Sequence, residues 1–178
     1  MNRKVIALAL MSVATVGSVQ ASDGTINFAG ELVAQTCTVT IDGGTSPQTK
    51  NLPKVSTSIL TAAGQVAGAT SFLIGLTGCA ATPASVTTFY EAGATVDPIT
   101  GRMRNTDTTG ATNVELQLLD GGSGDPIKIG DASQTATNTR YTIASGAVIM
   151  PYAVEYYATG VTTSGLVTSQ VTFSIDYQ

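Results

Sequence analysis

Apolar and polar residues alternate most cleanly at the two ends of the chain. Between positions 167 and 177, Val167, Val171, Phe173, Ile175 and Tyr177 fall on one set of alternate positions, with Ser169 their single polar member. Thr168, Gln170, Thr172, Ser174 and Asp176 fall on the other. A period of two places the first set on one face of a strand, toward a core. The chain ends one residue later, at Gln178. A core strand in that position either pairs on both sides with strands already made or leaves an edge open. Near the N-terminus, Ile26, Phe28, Gly30 and Leu32 alternate with Thr25, Asn27, Ala29 and Glu31 in the same way. Gly30 breaks the apolar row, and glycine inside a strand marks a place where another group approaches closely.

Between these ends, short strand-like stretches alternate with Gly, Asp, Asn, Ser and Pro clusters. The expected strands are residues 25–34, 36–41, 71–77, 86–90, 114–119, 126–129, 150–158 and 167–177. Asp42-Gly43-Gly44, Asp97-Pro98 with Gly101, and the run from Asp120 to Asp125 carry turn chemistry. Residues 58–67 have room for one helical turn. No helical period persists, and many short strands separated by turns read as an all-β sandwich.

The first residues read differently. Arg3 and Lys4 precede an apolar stretch from Val5 to Val19 that closes on Val19-Gln20-Ala21. A basic start, a short apolar run and small residues before a cleavage point describe an export signal over residues 1–21. Ser12, Thr15, Gly17 and Ser18 interrupt the run, which is too short for a membrane span of about 20 apolar residues. Removing 21 of 178 residues leaves 157, one domain of ordinary size. It also leaves six basic residues against twelve acidic, a net charge of −6. Such a surface disfavours nucleic acid and anionic membrane as partners.

Cys37 and Cys79 are the two cysteines. In an exported chain an isolated pair is most simply one disulfide, closing a loop of roughly 40 residues and adding on the order of 3–4 kcal/mol. A redox or metal pair lacks a CxxC spacing, and the chain has no histidine. That also removes Ser-His-Asp and Cys-His catalysis, and no GxSxG, SxxK or phosphate-loop pattern occurs. The acidic loop Asp120 to Asp125, with Asp131, offers oxygen ligands for calcium without the spacing of a known loop, and turn chemistry accounts for it. Arg102 and Arg104 read as a solvated face. Tyr152, Tyr156 and Tyr157 suit packing better than sugar stacking, since Tyr156 and Tyr157 face opposite ways on a strand. No enzyme, metal or cofactor is expected.

Several segments together resemble the subunits of chaperone–usher fimbriae, above all type 1-like major pilins. They are Ile26-Asn27-Phe28-Ala29-Gly30-Glu31-Leu32-Val33 ahead of Cys37-Thr38-Val39, and Phe72-Leu73-Ile74-Gly75-Leu76 ahead of Cys79. Tyr156-Tyr157-Ala158-Thr159-Gly160, Gly165 fourteenth from the end and the penultimate Tyr177 complete the set. The resemblance implies an incomplete immunoglobulin-like sandwich lacking its last strand, completed by a donor strand from a neighbouring subunit. It divides the chain into an export signal (residues 1–21), a donor-strand extension (22–35) and a pilin domain (36–178). Ile26, Phe28, Gly30 and Leu32 become the donor row, while Gly165, Val167, Val171, Phe173, Ile175 and Tyr177 mark the acceptor strand. The partners implied are copies of the chain itself, a periplasmic chaperone, an outer-membrane usher and a tip adhesin. The place implied is the cell surface. The alternatives within the same system are a minor adaptor pilin and a carbohydrate-binding tip adhesin.

Overall fold

In a computed structural model the described residues are 27, 37–80 and 85–178. Apart from Asn27 they fall within one compact unit, Ala34–Gln178. The expected strand at 25–34, with the donor row, lies outside the described residues.

Nine strands follow in order: β1 (Thr38–Ile41), β2 (Val66–Thr77), β3 (Ser85–Tyr90), β4 (Met103–Arg104), β5 (Val114–Asp120), β6 (Pro126–Ile127), β7 (Tyr141–Thr142), β8 (Val148–Ala158) and β9 (Phe173–Tyr177). One helical turn, α1 (Gln134–Thr137), precedes β7, and a 3₁₀ turn occupies Thr57–Ile59. The larger sheet runs β1-β2-β8-β5-β4 with β6 beside β5, and the smaller runs β7-β3-β9. Every pairing is antiparallel. This is an incomplete immunoglobulin-like sandwich.

Alternation fills the space between the sheets. Ile74 and Leu76 of β2, Val86 and Tyr90 of β3, Leu116 and Leu118 of β5, and Met150, Tyr152 and Val154 of β8 form the buried core. Asp42 and Gly43 close the β1 hairpin turn in left-handed conformations, bonded Ile41 to Gly44, the geometry that Asp-Gly pairs favour.

Most expected strands shift by one or two residues at an end, and two differ by more. β2 begins at Val66 rather than 71, so the helical turn expected over 58–67 shrinks to Thr57–Ile59. The stretch Val66–Thr70 is rich in small residues and hides a register shift after Ala67, where Gly68 takes a left-handed φ of 70°. β9 covers only Phe173–Tyr177, not 167–177. The preceding residues stay extended and alternate in burial, but their neighbours are loops rather than a strand.

The Asp120 loop has a structural job. Asp120 is 2% exposed; its Oδ1 accepts from the Gly122 and Ser123 amides (2.7 and 3.1 Å) and its Oδ2 from the Thr139 amide (2.6 Å). Burial alone would raise its pKa, but the donors from Thr139, Ser123 and Gly122 outweigh it and hold the carboxyl below 3.8. A depressed folded pKa contributes stability above the unfolded value and loses it as pH falls through the folded one. Unfolding titrations of Asp120→Asn are therefore expected to show a loss of about 1.5–3 kcal/mol at pH 7 and a flatter decline below about pH 4. An unchanged midpoint at pH 7 would refute this account of the loop.

Candidate functional site

Among the described strands the last one pairs with β3. β9 lies at the margin of its sheet, with Phe173 opposite Tyr90, Ile175 opposite Thr88 and Tyr177 opposite Val86. Gln178 exchanges both backbone bonds with Ser85, and the Thr172 carbonyl accepts from Glu91. The extended run ahead of β9 continues the rule, since the Gln170, Thr168 and Leu166 carbonyls accept from Thr95, Thr106 and Ala111. All of these bonded residues are even-numbered. In extended chain successive residues direct their N–H and C=O to opposite edges. Val167, Ser169, Val171, Phe173 and Ile175 therefore aim their backbone groups at the far edge, where none has a backbone partner among the described residues.

The same odd positions turn their side chains inward. Val167, Val171, Phe173, Ile175 and Tyr177 are half-buried against the core, as is Val39, which stands opposite Leu76 on the margin of the other sheet. Behind them Tyr90 meets Phe173 at 6.3 Å and Tyr152 edge-on at 5.4 Å, and Phe72 lies 5.9 Å from Tyr152. Burial pushes the Tyr90 hydroxyl well above its usual range, so this floor is neutral. The Ser169 hydroxyl, the polar member of the row, is buried without a partner among the described residues. Charges stay on the outward face: Arg140 pairs with Asp176, and Ser174 donates to Glu91 at 2.6 Å. Such a site can take up an extended chain, with backbone bonds along the edge and alternate side chains above the apolar row. It holds no arrangement for bond chemistry.

β3 is closed on its other side. β7 covers Ser85 and Val86; beyond it Asn138 donates to the Thr88 carbonyl at 3.1 Å. The Gln134 amide both accepts from and donates to Tyr90's backbone, each at 3.0 Å. Two side chains thus stand in for a strand. The sequence reading missed them, because an amide in a polar segment carries no periodic signal.

Cys37 and Cys79 are bridged, with Cα atoms 4.2 Å apart where β1 meets β2. Gly165 lies ahead of the half-buried apolar row rather than in it. A Cβ there would come within 2.4 Å of the Ala111 nitrogen and 2.5 Å of the Gly110 carbonyl carbon. Of the other singled-out residues, Arg102 bonds Glu115 at 2.8 Å and covers the Tyr157 ring at 3.7 Å, while Arg104 pairs with Asp97. Arg102 is thus largely covered, whereas Arg104, its side chain half exposed, stays on a solvated face as read from the sequence.

The comparisons with known proteins agree with one another. The family model described as "FimA: Type-1 fimbrial protein, A" matches residues 52–178. The chain is 44% identical over 163 residues to the major fimbrial subunit SMF-1 of Stenotrophomonas maltophilia, covering 88% of this chain and 94% of the relative. It is 39% identical over 176 residues to the F17 fimbrial protein of Escherichia coli, covering 96% of each. Among solved structures, the P pilus rod subunit PapA superposes with a TM-score of 0.61 at 17% identity, over 80% of this chain and 99% of that one, a likeness of fold.

Backbone lies on the far side of Gly165, so a side chain there cannot be accommodated by a rotamer change. Gly165→Ala is expected to destabilise the fold by about 1–3 kcal/mol, read as a lower urea midpoint. A wild-type midpoint would show that the crossing at Gly110 is loose.

Proposed function

The chain belongs to the type-1 fimbrial protein family and is a structural subunit of a surface fimbria, and from that premise we propose how its copies join. The edge at Val167, Val171, Phe173, Ile175 and Tyr177 accepts the extension of the next subunit, with Ile26, Phe28, Gly30 and Leu32 facing the groove. The observation that carries this reading is the odd-numbered edge from Val167 to Ile175, which has no backbone partner among the described residues and lies over a half-buried apolar row. The sequence of residues 22–35 has a matching period of two and sufficient length. Burying Ile26, Phe28 and Leu32 gives about 5–9 kcal/mol before backbone bonds, at roughly 1.5–3 kcal/mol each. Addition of a strand to a sheet edge needs no catalytic group, and the role is structural rather than enzymatic.

An edge of this kind invites aggregation before a neighbour arrives. A periplasmic chaperone covers it first, an outer-membrane usher exchanges the chaperone for the next extension, and a tip adhesin stands at the fibre's end. Residues 1–21 are the export signal and 36–178 the pilin domain. A shaft role is favoured over adaptor or tip adhesin, because the relative at 44% identity is a major subunit.

Phe173→Asp puts an unpaired charge on the apolar floor. The variant is expected to fail to accumulate with its chaperone in the periplasm, measured by co-purification; normal levels of that complex would count against the acceptor assignment. Deleting residues 23–32 is expected to leave a chaperone-bound, folded subunit that adds to no other, with fibre growth followed by electron microscopy. Gly30→Leu in the intact chain should slow or stop polymerisation without loss of the complex. If the deletion unfolds the subunit while Gly30→Leu polymerises normally, the extension belongs to its own sandwich.

A further inference from the structure

β9 is a strand of five residues, yet the edge it offers is longer. β3 ends at Tyr90, and from Thr172 back to Leu166 no strand among the described residues lies beside the chain. What keeps residues 166–172 in line is a small set of groups from the loops 91–96 and 105–111. Thr95 Oγ1 donates to the Gln170 carbonyl at 2.6 Å. The Thr106 amide donates to the Thr168 carbonyl at 2.8 Å, and the Thr106 hydroxyl reaches the same carbonyl at 2.9 Å.

Asn105 is the hub of this set. Its Nδ2 donates to the Leu166 and Ala111 carbonyls, both at 2.9 Å. Its Oδ1 accepts from the Thr168 amide at 2.9 Å and the Asp107 amide at 3.1 Å. A single carboxamide therefore supplies the donor and the acceptor that a neighbouring strand would present to residues 166 and 168. It does so on the even-numbered side, which leaves Val167, Ser169 and Val171 facing the open edge. The close crossing of Gly110 and Gly165 fixes the start of the run, since a Cβ on Gly110 would lie 2.1 Å from the Leu166 carbonyl oxygen.

We propose that Asn105 is a positioning residue that sets the working length of the acceptor edge, extending it from β9 back to Val167. The inference rests on the donor-strand reading above and adds to it the residue that decides how much of a donor is held. Without Asn105 the even side of 166–168 loses the acceptor for the Thr168 amide and one of the two donors to the Leu166 carbonyl. The odd side then ceases to present a continuous row of backbone groups, while the β3–β9 pairing, which Asn105 does not touch, persists.

The test uses the mature chain refolded with fluorescent synthetic peptides, whose release is timed after adding excess unlabelled peptide. The peptides span residues 22–35, 28–35 and 22–30, so that each truncation removes one end of the donor. For the wild-type chain both truncations are expected to speed release. For Asn105→Ala, release of the full peptide should be about tenfold faster, the scale of one or two lost ladder bonds. The truncation whose missing residues lie against 167–171 should then have no further effect, while the other retains its effect. Thr106→Ala, which removes only the hydroxyl's bonds to Thr168, should shift the same end by less, and it carries the comparison if Asn105→Ala does not refold. Equal acceleration of all three peptides would mark Asn105 as a general stabiliser and overturn the inference, as would wild-type rates. A wild-type chain that holds none of the peptides would instead overturn the donor-strand reading itself, and this inference with it.

Discussion

Backbone hydrogen bonding along the last strand is the constraint on which the rest of this structure depends. Each residue of an extended chain carries one donor and one acceptor, and when buried these need partners. The even-numbered residues from Leu166 to Gln178 find theirs in β3 and the loops beyond it. The odd-numbered ones from Val167 to Ile175 point the other way, over side chains that already belong to the core. The edge is thus polar in its backbone and apolar beneath, which suits another chain better than it suits water. A sheet edge of this composition is normally covered, charged or shortened. Here it is kept.

The fold closes the edge of β3 opposite β9, and does so by unlike means. Beyond the two residues of β7, β3 is sealed by the amides of Gln134 and Asn138, whose bonds to Tyr90 and Thr88 reproduce a strand's ladder. Asp120 ties the loop after β5 to Thr139 and so holds the approach to β7. The Cys37–Cys79 bridge fastens the start of β1 to the end of β2. Ionic pairs sit at the periphery, including Arg140–Asp176 on the outward face of β9. The inward face stays neutral. A charge there would meet Phe173, Tyr90 and Tyr152 rather than a counter-ion.

On the proposed joint, a subunit stores part of its stability in its neighbour. Hydrophobic burial and ladder bonds that an ordinary sandwich completes within one chain would be divided between two, so that folding and polymerisation would draw on the same interactions. A joint of that kind would be head-to-tail, since the proposed extension and edge are different parts of the molecule, and heterologous contacts that do not close generate fibres.

Period-two patterning was enough to find the face of 167–177, and short strand-like stretches between turns were enough to find the sandwich class, because alternation is a local property of extended chain. The lone cysteine pair in an exported chain was enough to anticipate the bridge. Strand limits were less legible: small residues and Gly68 concealed the first turn of β2, and nothing in the alternation at 167–172 revealed that loops rather than a strand lie beside it. Which side of the last strand is bonded was not in the sequence at all. That depends on the parity of the contacts with β3, Thr106 and Ala111, which only the packed chain defines. Asn105, Gln134 and Asn138 belong to the same class. Each is an ordinary polar residue in a polar loop, and each acquires its role when tertiary structure carries its amide to a backbone that lacks a strand.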